Sequence, residues 1–267
     1  MNCIICGQGL EMLVNSPKIW KCPNCGFGQT ENPKVQTNQY HRDKVYVDEE
    51  KLFRNIFQKR FNIICRLNKS GSALEVGCST GLMLYLLQKK NWEVLGVEIS
   101  KIAANKANKR GIKVIRENFE KVKIDKKFDL IIFNHSLEHL QNPIKIIEKT
   151  KKMLKGNGLI YIDLPNFGGL SSKIYGKNWP LLLPNEHLWH FSLKSLEILF
   201  GKAGFKTIFV DRSSGNWNLA NPWIEIFQSL IGFKKRFFME ILTILPDWII
   251  SKLGLGSDLM VIARKLS

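Results

Sequence analysis

The stretch ALEVGCSTGLMLYLL, residues 73–87, changes its character at the centre. A short apolar run carries the acidic residue Glu75, crosses Gly77 and Gly81, and continues as a leucine-rich pattern with helical spacing. In a doubly wound α/β sheet, ligands bind outside the carboxyl ends of the strands, commonly just after the first one. Glycines there let a ligand approach the backbone, and the helix that follows directs its amides toward the ligand. The stretch therefore predicts the ligand-binding loop of an α/β protein.

Strand and helix patterns alternate over most of the chain. A helix pattern begins near Asp48, and further ones cover residues 143–154 and 192–203. The predicted strands cover residues 73–76, 93–97, 113–116, 128–134, 159–164, 205–211 and 259–263. This alternation predicts a doubly wound, mostly parallel sheet of seven strands with helices on both faces. A nicotinamide dinucleotide fingerprint needs glycines where the chain has Ser79 and Leu82, which disfavours that cofactor.

Two CxxC pairs stand near the N-terminus. Their members are Cys3, Cys6, Cys22 and Cys25. This spacing lets two tight turns present four thiolates to one zinc ion, and a four-thiolate site leaves no open position for a substrate. A small zinc module with a structural metal is therefore expected. Six unevenly placed cysteines and a start without a secretory signal favour a reducing, cytoplasmic location.

The formal net charge of the 267 residues is +17. Such a charge attracts anions, and the candidates are RNA, an anionic membrane surface or a phosphorylated substrate. A biased base composition of the gene would produce the same lysine-rich chain without a binding role. Charge alone leaves these alternatives open.

An apolar segment interrupts the alternation at residues 219–256. Charged residues such as Lys234, Lys235 and Arg236 divide it, so it does not reach the length of an apolar membrane span. Three alternatives remain: helices packed into the core, a lid or peripheral contact with an anionic membrane, or a dimer interface. The contact alternative expects one apolar helix face, composed of Trp223, Phe227, Ile231, Phe237, Phe238, Ile241 and Ile244.

The pattern divides the chain into successive parts. These are a zinc-ribbon-like module at 1–30, a linker and leading helix at 31–70, a ligand-binding core at 71–218, an apolar helical insertion at 219–256, and the last core strand at 257–267.

Three motifs carry a family resemblance: LEVGCSTG, VLGVEIS and FDLIIFNHSLEHL. With them the chain resembles the class I S-adenosylmethionine-dependent methyltransferases over about residues 50–265. The resemblance implies a Rossmann-like methyltransferase sheet that binds S-adenosylmethionine. It implies that the loop holds the methionine end of the cofactor, that Glu98 binds the ribose, and that Ile99 packs on the adenine. The cofactor-binding residues that it implies are Glu75, Gly77, Cys78, Ser79, Gly81, Glu98, Ile99, Asn118 and Asn134.

Histidines cluster after two of the predicted strands. The segments NHSLEHL and NEHLWHFS should face the same cleft, because the carboxyl ends of parallel strands share one edge of a sheet. A histidine near neutral pKa is a common general base for an acceptor hydroxyl or amine. The candidate catalytic residues are His135, Glu138, His139, His187 and His190. A resemblance of HSLEHL to the ubiquinone-pathway O-methyltransferases implies, as an alternative, a divalent cation at His135, Glu138 and His139.

Residues 164–205 resemble a segment of bacterial methyltransferases associated with sugar, polyketide or cell-envelope biosynthesis. Their loop-rich, aromatic composition is that of an acceptor-binding wall. We therefore expect a methyltransferase acting on a small molecule or on a lipid-linked or glycan intermediate, with peripheral membrane contact as a further expectation. An RNA base methyltransferase with a zinc module is one alternative, and a non-enzymatic binding protein is another. The oligomeric state does not follow from the sequence.

Overall fold

The computed structural model of the protein describes residues 1–31, 50–231 and 236–266, while the side chains of residues 216, 225, 228 and 236–240 fall outside the description. Expectations for Lys234, Lys235 and the side chains of Arg236, Phe237 and Phe238 therefore lie outside the described residues. Eight helices of the described ranges matter below: α1 (Glu50–Leu67), α2 (Leu82–Gln88), α3 (Lys101–Lys109), α4 (Pro143–Met153), α5 (Leu170–Tyr175), α6 (Leu193–Ala203), α7 (Pro222–Ile231) and α8 (Arg236–Lys252).

A central sheet organises the fold. Its strands in the described ranges are β4 (Ser72–Val76), β5 (Glu93–Val97), β6 (Val114–Ile115), β7 (Phe128–Asn134), β8 (Leu154–Pro165), β10 (Phe205–Asp211) and β11 (Asp258–Lys265), in the spatial order β10-β11-β8-β7-β4-β5-β6. All are parallel except β11, which is antiparallel to both neighbours. This is the doubly wound, mostly parallel seven-stranded sheet that the alternation predicted, and it agrees with the Rossmann-like methyltransferase sheet that the resemblance implies.

The strand order reverses beside β4. Connections from β4 run outward to β5 and β6, whereas β7 lies on the other side of β4 and leads to β8. A crevice opens where the connections diverge, at the carboxyl ends of β4 and β7. The glycine loop and Asn134 both lie there, which places the predicted ligand loop at the switch point of the sheet.

Apolar side chains cover both faces of the sheet. On one face, α1 and α2 contribute Phe57, Ile64 and Leu84 to a buried cluster. On the other face, α4 and α6 contribute residues such as Ile147 and Leu199. The alternating elements thus bury their apolar faces in two layers around continuous apolar strands.

A second, smaller sheet contains the N-terminal module. Its strands are β1 (Glu11–Asn15), β2 (Lys18–Lys21), β3 (Gly28–Thr30) and β9 (Trp189–His190), paired in that order. The fourth strand comes from the segment that follows β8, and Phe27 with the buried cysteines joins the same apolar cluster as α6. The module and the main sheet therefore share one core.

The insertion before β11 forms two helices, α7 and α8, which contact each other. Several of its large apolar side chains, among them Trp223, Phe227 and Leu242, are more than 60% exposed. The alternative that these side chains complete the core is therefore wrong, although Ile244 is half-buried. Within the described parts of the chain, no helix combines the length and apolar character needed to cross a membrane.

Candidate functional site

A cleft opens at the carboxyl ends of β4 and β7. It is lined by Phe57, Glu75, Gly77, Cys78, Ser79, Thr80, Leu82, Met83 and Asn134. The backbone of Gly77 and Gly81 is left-handed, with φ of +71° and +73°. A Cβ atom on Gly77 would lie 2.9 Å from the Cβ of Ser136, so the loop approaches β7 as only glycine allows.

Two buried carboxylates bound this cleft. Glu98, at the end of β5, accepts hydrogen bonds from the backbone amides of Ser79 at 2.9 Å and Ser100 at 2.8 Å. It thereby ties the glycine loop to the next strand. Burial, with a smaller contribution from Glu98, raises the pKa of Glu75 well above its ordinary value. A cationic group placed in the cleft would stabilise the ionised form of Glu75.

Several polar atoms in the cleft are buried without a hydrogen-bond partner among the described residues. They are Oε2 of Glu75, Oγ of Ser79 and Oδ1 of Asn134. Orphaned buried polar atoms are costly, and a ligand that supplies complementary groups satisfies them. Ile99, beyond β5, is exposed, and Asn118, beyond β6, is half-buried. The unpaired polar oxygens, the glycine loop and the exposed side chain of Ile99 are groups that could hold S-adenosylmethionine, so the residues present fit this cofactor.

The two histidine segments meet around Glu138. Its carboxylate is 1% exposed, and neither oxygen has a hydrogen-bond partner among the described residues. Oε1 lies 3.7 Å from Nδ1 of His135 and 4.0 Å from Nε2 of His187. The rings of His139 and His187 are in edge contact, with centroids 4.9 Å apart. The structure thus brings both predicted clusters to one edge of the sheet.

His135 has an unusual backbone for its residue type. Its φ is +49°, in the left-handed region that side chains with a Cβ rarely adopt. Strain of this kind persists where the surrounding structure enforces it, here through the backbone bond from His135 to the Asp163 carbonyl. Burial would lower the pKa of His135, but the Glu138 carboxylate and Asp163 outweigh burial and raise the pKa.

Glu138 remains the anionic partner of this pair. Burial would raise its pKa, but the interaction with His135 and the fields of His139 and His187 lower it to about 2. Ligand atoms of Glu138, His139 and His187 lie within 4.8 Å of one another, whereas His135 groups with Asp163 and Asp258. The cation set expected from the sequence, which included His135, is therefore divided between two groups.

His190 differs from the other histidines in its hydrogen bonding. The Thr30 hydroxyl donates to the His187 carbonyl at 2.8 Å, so its oxygen accepts from Nε2 of His190 at 3.0 Å. Burial, together with His187, lowers the pKa of His190 to about 3. A neutral imidazole with an occupied Nε2 suits a structural role better than proton transfer.

Replacing Thr30 by Val should destabilise the protein. The change removes the hydroxyl that satisfies two buried polar groups, and each unsatisfied group costs about 1–3 kcal/mol. Thr30→Ser keeps the hydroxyl and serves as the matched control. Urea unfolding measures the difference, and equal stability of the Val and Ser variants would contradict this role for the hydroxyl.

Arg60 and Asp163 form a buried ion pair that was not predicted from the sequence. Arg60 is 4% exposed in α1 and Asp163 is 1% exposed in β8, with Tyr161 donating to the same carboxylate oxygen. A cation on the apolar face of an amphipathic helix and an acid within an apolar strand were the available signals. The pair connects α1 to β8, the strand whose Asp163 carbonyl accepts the backbone hydrogen bond from His135.

The four cysteines of the N-terminal module converge. Sγ of Cys3 lies 3.6 Å from that of Cys25, and Sγ of Cys6 lies 3.4 Å from that of Cys22, with all four within 4.8 Å. Tetrahedral zinc with bonds of about 2.3 Å places its sulfurs about 3.8 Å apart, so the donor set fits this metal. Against the effect of burial, the backbone amide of Gln8 and the side chain of Cys22 are the main causes that lower the pKa of Cys6 to about 6.

A protein-family model described as a methyltransferase domain matches residues 47–209. An uncharacterized protein of Methanocaldococcus jannaschii is 32% identical over 154 residues, which are 57% of this chain and 73% of that protein. A ubiquinone biosynthesis O-methyltransferase of Pelagibacter ubique is 30% identical over 104 residues. That match covers 37% of this chain and 43% of the enzyme, so this chain spans less than half of that relative.

The fold is similar to a solved structure from Thermotoga maritima. That crystal structure is of a SAM-dependent methyltransferase, a possible histamine N-methyltransferase, and the TM-score is 0.58 at 19% identity. The match covers 84% of this chain and 97% of the other. At this identity the likeness concerns the fold and leaves the acceptor open.

Proposed function

Since the chain belongs to the methyltransferase-domain family, we propose that it transfers the methyl group of S-adenosylmethionine to a small molecule or to a lipid-linked or glycan intermediate. The main support is that the cofactor cleft and the histidine cluster adjoin each other at one edge of the sheet. Asn134, the last residue of β7, lines the cofactor cleft, and His135, Glu138 and His139 of the histidine cluster directly follow it.

The chain's own residues divide the task of cofactor binding. S-adenosylmethionine supplies an electrophilic methyl group on a sulfonium. Glu75 and Asn134 would hold its amino-acid end, because their orphaned oxygens accept hydrogen bonds. Glu98 would accept from the ribose hydroxyls. Ile99 would pack on the adenine, with Asn118 beside it.

His135 is the proposed general base. Methyl transfer needs an aligned nucleophile, and an acceptor hydroxyl or amine must also lose its proton. His135 is partly exposed, and the buried Glu138 carboxylate lies 3.7 Å from its Nδ1, where it would favour one ring orientation and stabilise the protonated form. His139 and His187 lie in the same histidine cluster, and His190 has a structural role through its hydrogen bond with Thr30. Glu138 is thus a positioning residue.

A divalent cation held by Glu138, His139 and His187 is the alternative use of this cluster. It would bind the acceptor oxygen directly and favour its ionised form. Metal analysis separates the two: the base mechanism expects no metal beyond one zinc per chain, whereas the cation alternative expects a second ion that histidine substitution removes.

The proposed reaction is tested by labelled methyl transfer from S-adenosylmethionine into extracts fractionated into lipids, glycans, small metabolites and RNA. Label in the first three classes supports the proposal. Label in RNA alone would favour the RNA alternative, and its binding should then weaken steeply with salt because phosphate contacts release counterions. A protein that binds no S-adenosylhomocysteine and transfers no label would be a binding protein on this scaffold.

We further propose that the N-terminal module binds one structural zinc through Cys3, Cys6, Cys22 and Cys25. The module supports the acceptor wall, because the Ser192 hydroxyl donates to the Cys25 carbonyl at 2.5 Å, Lys202 donates to the Ile5 carbonyl at 2.6 Å, and β3 pairs with β9. Metal binding would therefore stabilise the wall as well as the module.

Purified protein should contain about one zinc per chain, and Cys22→Ser should lose it with a fall in thermal stability, because structural zinc contributes folding free energy directly. Elemental analysis and thermal unfolding measure both effects. Cys65→Ser, which changes a cysteine outside the cluster, is the matched control. Zinc near zero in protein purified under reducing conditions without a chelator would contradict the site.

A further inference from the structure

The insertion presents several exposed apolar side chains, here together called the apolar hairpin surface. Its members, each more than 60% exposed, are Trp223, Phe227, Ile231, Leu242, Leu245 and Leu253. Five of them lie on α7 and α8, which contact each other, and Leu253 directly follows α8. Exposed apolar patches of this extent on a soluble domain mark an interaction surface.

The topology fixes where this surface stands. The insertion leaves β10 at Asp211 and enters β11 at Asp258, and because β11 is antiparallel both ends lie at the carboxyl edge of the sheet. The Asp258 amide donates to the Ser213 carbonyl at 3.1 Å, which closes the base of the insertion. The Trp217 indole donates to the Ile244 carbonyl at 2.9 Å and ties α8 to that base. The surface therefore rises from the edge that carries both candidate sites.

Three positive side chains lie near the described part of the hairpin. Lys252 is exposed, with its ammonium 6.0 Å from the centre of the Trp248 ring, and Arg212 lies against Gly254 at the end of α8. Lys51 is exposed one turn before Asn55, whose amide donates to the Asn221 carbonyl at the start of α7. The formal charge of the whole chain, +17, has the same sign.

We infer that the apolar hairpin surface docks on an anionic lipid bilayer. Amphipathic helices lie in the membrane interface with their apolar side chains at the acyl boundary, and tryptophan is favoured at that depth. Nearby cations add attraction to anionic headgroups. A second copy of the chain would bring the same cations to the contact, whereas a bilayer brings the opposite charge. Docking places the candidate active edge against the membrane, where an acceptor with a lipid tail resides.

Vesicle co-sedimentation tests the inference on the full chain without cofactor or acceptor, so its outcome is separate from that of the methyl-transfer assay. The probes are vesicles of phosphatidylcholine alone and of phosphatidylcholine with an equal part of phosphatidylglycerol. We expect binding to the anionic vesicles that weakens with salt. The double variant Phe227→Ser, Leu245→Ser should bind at least about tenfold more weakly, because two large apolar side chains no longer enter the interface.

Met12→Ser is the matched control, since Met12 is an exposed apolar residue of β1 in the N-terminal module. It should bind vesicles as the unchanged protein does. Equal recovery in the supernatant with and without anionic vesicles at low salt would overturn the inference. Equal binding by the double variant would also overturn it, and so would a dimer in solution that the double variant abolishes without any vesicle binding.

Discussion

Glu98→Ala is expected to reduce the affinity for S-adenosylhomocysteine by roughly a hundredfold or more. The Glu98 carboxylate bonds the loop amide of Ser79 and the amide of Ser100, and it is the acceptor proposed for the ribose. Charge-assisted hydrogen bonds contribute about 1.5–3 kcal/mol each, and tenfold in affinity corresponds to about 1.4 kcal/mol. Isothermal titration calorimetry with S-adenosylhomocysteine measures the change.

Glu93→Ala is the control for this experiment. Glu93 begins the same strand at its opposite end, where it is exposed and pairs with Lys126. Affinity within about twofold of the unchanged protein is expected, because surface ion pairs contribute little. Gly77 is a poorer site for the test, since its φ of +71° and the 2.9 Å approach to Ser136 would couple loss of binding to local misfolding. Full affinity in Glu98→Ala would exclude the proposed ribose contact.

His135→Asn should lower the turnover of methyl transfer by roughly 10²–10⁴-fold, the usual contribution of a general base. The Asn amide nitrogen reproduces the position of Nδ1 toward Glu138 but cannot accept a proton at neutral pH. Asn also tolerates the left-handed backbone that His135 adopts, so the fold is preserved. Affinity for S-adenosylhomocysteine should stay unchanged, which separates this variant from Glu98→Ala.

The same assignment predicts a pH profile. The base acts when neutral, so turnover should rise with pH through the pKa of His135, which Glu138 holds above the ordinary histidine value despite burial. Glu138→Gln removes that carboxylate and should move the midpoint to lower pH. If Glu138→Gln leaves the midpoint unchanged, His135 is not the general base. His190, with a pKa near 3, is neutral throughout this range and contributes no midpoint.

Local patterns allowed much of the main sheet to be predicted. The strands Glu93–Val97, Phe128–Asn134 and Phe205–Asp211 begin and end where the sequence placed them. Their apolar runs and flanking turns are properties of a few consecutive residues. The meeting of the two histidine segments also followed from sequence, because the carboxyl ends of parallel strands share one edge.

Such local patterns could not predict the contacts between segments that are distant in the sequence. Nothing in the residues around Thr30 indicates that its hydroxyl serves His187 and His190, and β9 has only two residues. The exposed hairpin was also ambiguous, since apolar helices in a core and on a surface have similar sequences. Only placement relative to the sheet distinguishes the two.

The pairing of β3 with β9 has a consequence for synthesis on the ribosome. Gly28 pairs with His190, so all residues between them must be made before the smaller sheet acquires its last strand. Contacts of such large sequence separation form slowly because the loop entropy is lost first. The four cysteines are translated before β9, and a zinc ion bound at that stage would hold β1, β2 and β3 together in the nascent chain. The sheet of the cysteine module is thus completed only after the segment that carries β9 has left the exit tunnel.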